Sequence, residues 1–145
     1  MSHNTTQILI PDSKGRTEFP LMLSQVAAGF PSPAEDYIER KMDLNEYLVK
    51  NTAATFFVRC CGDSMRDANI LSGDILIVDR SLDAANNSII IAAVNGELTV
   101  KRIRAAKDGI YLVPENPEYQ PLEITTDTSF EIWGVVTYII HKAAK

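Results

Sequence analysis

The chain is 145 residues long, 46% hydrophobic and 23% charged, with a formal net charge of -5 and two cysteines. That length fits one domain, because a core of this size buries about 68 to 70% of the unfolded chain's surface, and the composition is neither disordered nor fibrous. The acidic balance speaks against direct nucleic-acid binding, neighbouring Cys60 and Cys61 against a secreted disulfide framework, and the lack of any apolar run near about 18 residues against a membrane span.

Residues 1–35 carry little periodicity and contain Pro11, Gly15, Pro20, Gly29, Pro31 and Pro33. They read as a flexible, extended N-terminal arm. Val26-Ala27-Ala28 mimics a secretory cleavage site, but the uninterrupted aliphatic run Leu21 to Leu23 ahead of it is too short for a signal peptide. Asp43-Leu44-Asn45-Glu46 has the pattern of a capping box and predicts a short helix through Val49, with Asp43 accepting backbone N–H bonds and Glu46 reaching back.

From Thr55 onward, β-branched and aromatic runs predict six strands, at Thr55 to Cys60, Asp74 to Asp79, Ser88 to Val94, Glu97 to Arg104, Gly109 to Val113 and Phe130 to His141. Asn95-Gly96 between the third and fourth is the dipeptide of a type I′ hairpin turn, in which both central residues need positive φ. No repeat and no parallel βαβ rhythm is present. The expected fold is therefore mostly β, a compact domain of antiparallel strands at 36–145 preceded by the arm at 1–35. The apolar run Trp133 to Ile140 fits a core strand better than a dimer edge.

Serine chemistry through a histidine base is not supported, since His3 lies in the arm and His141 beside the C-terminus. Both read as surface residues. No metal and no cofactor is expected. Gly62-Asp63-Ser64-Met65 follows a strand directly, and a glycine there permits a sharp turn that lifts Ser64 clear of the sheet near backbone N–H groups. Alone, the tetrapeptide reads more readily as an ordinary turn with a capping serine. On the strand Glu97 to Ile103, period-two alternation puts Thr99, Lys101 and Ile103 on one side and Leu98, Val100 and Arg102 on the other. A free lysine is neutral in about one molecule in 2,500 at pH 7, so Lys101 serves as a base only if apolar walls such as Ile89 to Val94 disfavour its charge. Alone, it is a solvated strand lysine, and Ala27-Ala28-Gly29 a linker.

The combination points further. Gly29 to Tyr37, Gly62 to Met65, Gly73 to Asp79 and Gly96 to Lys101 together resemble the UmuD branch of the LexA/UmuD family of self-cleaving serine peptidases. The resemblance runs from about Phe19 to the C-terminus. It implies that Ser64 is the nucleophile and Lys101 its general base, that the N–H groups of Ser64 and Met65 hold the oxyanion, and that Ala28–Gly29 is the bond cut. The residue types agree, since small Ala27 and Ala28 enter a narrow cleft and Gly29 lets the backbone approach without a Cβ clash. Two positions depart from a well-known relative, with Ala28 in place of a cysteine and Arg102 in place of a second lysine.

The resemblance further implies cleavage prompted by a RecA filament on single-stranded DNA, a homodimer, and a trimmed form that joins a Y-family, UmuC-like polymerase in lesion bypass, all in the cytoplasm. Two rival readings stand beside it. One is a polymerase-regulating module without enzymatic activity. The other is the peptidase half of a LexA-type repressor, disfavoured because the residues ahead of Gly29 are too few for a helix-turn-helix.

Overall fold

The computed structural model describes residues 7–9, 15–22, 28–29 and 38–144. His3, Ala27 and the stretch Phe30 to Tyr37, all used in the sequence reading, lie outside them. In chain order the elements are β1 (Gln7–Leu9), β2 (Phe19–Met22), β3 (Ile38–Met42), α1 (Leu44–Leu48), β4 (Thr55–Arg59), β5 (Ile75–Asp79), β6 (Ile89–Val94), β7 (Glu97–Ala106), β8 (Gly109–Val113), β9 (Leu122–Ile124) and β10 (Phe130–Ile140). The chain divides into two units, residues 1–11 with 51–145, and residues 12–50.

In the first unit the described strands form one antiparallel sheet in the order β1-β4-β5-β10-β6-β7-β8-β9. All six predicted strands are present within a residue or two of their expected ends. The sequence reading missed β1, β2, β3 and β9. These are short, and β2 contains Pro20 while β3 contains Glu39, Arg40 and Lys41, so neither length nor apolar alternation marks them.

Strand β5 is buried along Leu76, Ile77, Val78 and Asp79, which is why it reads as a continuous apolar run rather than an alternating one. Around it, Phe56, Val58, Cys60, Met65, Ile70, Leu76, Val78 and Ile91 form one core cluster. Ile90, Ala92 and Leu112 form a second, with Ile103 and Val135 packed against it. Successive residues of β6 thus serve opposite faces, as a pleated strand requires. The β6–β7 hairpin turns through Asn95 at φ 49° and Gly96 at φ 84°, the two positive values that a type I′ turn demands.

Strand β10 lies between β5 and β6 and pairs with both. Trp133, Val136 and Ile139 pack on the first cluster and Val135 on the second, so the apolar C-terminal run is a core strand. The rings of Trp133 and Phe56 meet edge to face with centroids 6.3 Å apart. The pairing shifts register at two points, between Ile132 and Gly134 against β6 and between Val136 and Tyr138 against β5. Gly134 ends the shift against β6 and also lies close on β5, where a Cβ would lie 2.6 Å from Val78 Cγ1 and 3.0 Å from the Asp79 carbonyl oxygen.

In the second unit β2 and β3 form a two-stranded antiparallel sheet. Helix α1 starts as expected, with the Asn45 N–H donating to Asp43 Oδ1 at 2.9 Å. The other half of the capping box differs, because the Glu46 carboxylate pairs with the Arg16 guanidinium at 2.9 Å instead. No residue of the helix is buried. Among the described residues no helix is long and apolar enough to cross a membrane.

Candidate active site

The turn carrying Ser64 is fixed at both ends. Where β4 stops, the Cys60 N–H donates to the Asp74 carbonyl at 2.7 Å and the Gly73 N–H to the Cys60 carbonyl at 2.7 Å. Gly62 then turns the chain at φ 94°, a conformation that favours glycine. Met65, 1% exposed, plugs the first core cluster, and burial of such a side chain stabilises by about 1.5 to 3 kcal/mol. Ser64 stands between the glycine hinge and the methionine plug, half-buried. Among the described residues the N–H groups of Ser64 and Met65 have no hydrogen-bond partner, so both are free to meet a developing negative charge.

The lysine arrives from β7. Register places Lys101 opposite Ile90 and Thr99 opposite Ala92, so apolar β6 flanks the lysine as its sequence indicates. Lys101 Nζ lies 3.0 Å from Ser64 Oγ, 2.9 Å from Thr99 Oγ1 and 3.1 Å from the Val100 carbonyl oxygen. Burial lowers the lysine's pKa from its usual range, with the nearby Cys60 opposing that shift. A charged amine donates to the serine hydroxyl across this separation. Once neutral, the same amine is placed to accept the hydroxyl proton.

A cleft surrounds the pair, lined among others by Val58, Cys60, Cys61, Leu76, Leu98 and Val100. Its apolar residues contribute to the partial burial that disfavours charge on the amine. Cys60 is buried and Cys61 exposed, and both are free thiols. Burial first, and then the charge of Asp74, push the Cys60 thiol pKa up, so Cys60 is a poor rival nucleophile. His141, expected as a solvated residue, is half-exposed but pairs with the buried Asp74 carboxylate at 2.7 Å. Asp74 also accepts the Leu71 N–H at 2.8 Å, a supporting role in the connection that leads into β5.

The structure places Ser64 and Lys101, both named in the sequence reading, 3.0 Å apart, with Met65 directly after Ser64. Ala28 and Gly29 fall in the second unit, in an exposed bend. Sequence reasoning passed over Thr99, although the period-two rule already put it on the lysine's side of the strand. It also passed over Asn116 and Tyr119, whose side chains bond to Asp63 at 2.9 Å and 2.6 Å.

Residues 20–137 match the family described as Peptidase S24-like. The chain is 46% identical to Protein SamA of Salmonella typhimurium over 123 residues, 85% of each chain. It is 44% identical to Protein MucA of Escherichia coli over 120 residues, 82% of each. The LexA repressor of Bordetella petrii matches at 36% identity over 133 residues, 92% of this chain and 58% of the repressor. With a serine and a half-buried lysine in hydrogen-bond contact and this extent of match, the chain belongs to the Peptidase S24-like family of serine peptidases and stands with its UmuD-like members.

Proposed function

We propose that the chain cuts its own Ala28–Gly29 peptide bond with Ser64 as nucleophile and Lys101 as general base. Neutral Lys101 takes the Ser64 hydroxyl proton while Oγ attacks the Ala28 carbonyl carbon, and the N–H groups of Ser64 and Met65 receive the oxyanion. The C–N bond then breaks, and Lys101 returns the proton to the departing Gly29 amine. Water, deprotonated by the same lysine, hydrolyses the acyl ester and regenerates Ser64.

The observation that carries this reading is the 3.0 Å contact between a burial-depressed amine and a serine hydroxyl at the mouth of an apolar cleft. Small, exposed Ala28 and Gly29 suit the bond to be cut. Residues 1–35 form the arm that contains the cut, of which residues 1–28 are removed, and 36–145 the peptidase domain. The trimmed chain works as a homodimer in the cytoplasm, as the accessory subunit of a UmuC-like, Y-family polymerase. A RecA filament on single-stranded DNA speeds the cut by favouring the cleavage-ready arm position.

The test is mass spectrometry of the purified chain held at pH about 7 and about 10, and with activated RecA filament. A fragment beginning at Gly29, formed faster at the higher pH and with the filament, is the expected product. Ser64→Ala and Lys101→Ala slow it by about a thousandfold or more. Continued cutting at that bond in either variant refutes the dyad.

A further inference from the structure

The connection from β8 to β9 runs through Pro114-Glu115-Asn116-Pro117-Glu118-Tyr119-Gln120-Pro121, and its prolines fix φ at three points. Its polar groups reach both elements that carry the serine and the lysine. Asn116 is 3% exposed. Its Nδ2 donates to the Asp63 carbonyl at 2.9 Å, and its Oδ1 accepts the Glu118 N–H at 3.0 Å. The Tyr119 hydroxyl donates to Asp63 Oδ1 at 2.6 Å. Glu115 accepts the Asp67 N–H on its carbonyl at 2.8 Å and Arg102 Nε on its carboxylate. One loop therefore holds the residue before Ser64, the turn after it, and the residue after Lys101.

Sheet topology explains why such a tie matters. Ser64 follows β4 and Lys101 sits on β7, and between those strands the sheet places β5, β10 and β6. Through the sheet, their 3.0 Å contact therefore depends on four successive ladders, any of which can flex. Productive geometry tolerates only about 0.5 Å of error. The loop after β8, itself paired with β7, bypasses those three strands.

We propose that this proline-braced loop is a bracket that sets the distance between Ser64 and Lys101, with Asn116 and Tyr119 as positioning residues acting through Asp63. The inference rests on the reading of Ser64 and Lys101 as a catalytic dyad. Loosening the bracket lets the serine turn drift from β7, slows the chemistry, and admits water to the amine. Arg59, Cys60 and Cys61 are the other ionisable groups lining the cleft, and neither variant below touches them.

The experiment compares Tyr119→Phe and Asn116→Ala with the parent chain. Self-cleavage is measured across pH per folded molecule, and the Lys101 amine is titrated by heteronuclear NMR in a Ser64→Ala background. Cleavage is expected to slow by about threefold in the first variant and about tenfold in the second. In both, the pH midpoint of cleavage and the Lys101 titration move up towards the ordinary lysine value. Variants that are folded, cut at the parental rate and titrate Lys101 unchanged overturn the bracket, as does a loss of stability alone. Should Asn116→Ala fail to fold, Tyr119→Phe, at a residue 43% exposed, carries the test. A parent chain that never cuts sinks the dyad, while an unmoved Lys101 titration separately sinks the bracket.

Discussion

The two units of the chain differ in what holds them. Residues 51–145 build two core clusters around a sheet whose strands β5 and β6 are largely buried. Within 12–50, by contrast, the described structure is a pair of short strands and a one-turn helix with no buried residue. Phe19, Leu44 and Tyr47 stand exposed there, and a two-stranded sheet alone is at best marginal in water. Catalytic geometry needs support from packed side chains, whereas a peptide bond that is to be cut needs to be reachable. On the proposed function, the serine and lysine lie in the first kind of region and the exposed Ala28–Gly29 bond in the second.

Substitutions that damage one region and spare the other sharpen this contrast. The largest effect is expected from Met65→Ala, which empties the plug beneath Ser64 and costs about 2 to 5 kcal/mol. Thermal unfolding of the Ser64→Ala chain reads it, and a loss well below 1 kcal/mol would show that the turn is not anchored by the core.

Next comes Lys101→Met, which keeps the apolar stem and removes the amine. Burial holds the folded pKa of Lys101 below 10.5, the unfolded value. Between those two values the unfolded chain binds more protons, so the parent's stability rises with pH across that window and is flat below it. The methionine variant is therefore more stable than the parent at neutral pH, and its advantage shrinks as pH climbs towards 10.5. Denaturant unfolding at several pH values, again with Ser64→Ala, checks the sign. An advantage that grows with pH contradicts a buried, destabilised charge.

The smallest effect falls in the other region. Asp43→Ala removes the helix cap seen at Asn45 and costs about 1 kcal/mol locally, or about fivefold faster amide exchange in α1. Exchange in β5 stays unchanged. Equal acceleration in both would erase the distinction between the units.

How much of this was legible in the sequence follows from the range of each interaction. Asn95-Gly96 announced its turn because positive φ is a local property of two residues. The alternation of β7 put Thr99 and Lys101 together for the same reason, and the burial of Leu98 and Val100 against the first cluster follows that alternation. The family resemblance supplied the pairing of Ser64 with Lys101 across the sheet. The loop after β8 stayed silent, because its Pro-rich text reads as a connection and its bonds to Asp63 span 53 and 56 residues. Glu46 likewise followed its local motif only until Arg16, remote in sequence, offered a charge partner. Nor does any local pattern place β10 in the middle of the sheet, since strand order is decided by long-range pairing.

That position of β10 has a bearing on the order of synthesis. The ribosome makes β1, β4 and β5 before β6 and β7, and β10 after them all, yet β10 is the strand through which the β5 side and the β6 side of the sheet share their backbone ladder. Until Phe130 to Ile140 have been translated, no continuous sheet joins the half that bears the serine to the half that bears the lysine. In a nascent chain of this topology the sheet therefore cannot link the strand before Ser64 to the strand bearing Lys101 until Ile140 has been made.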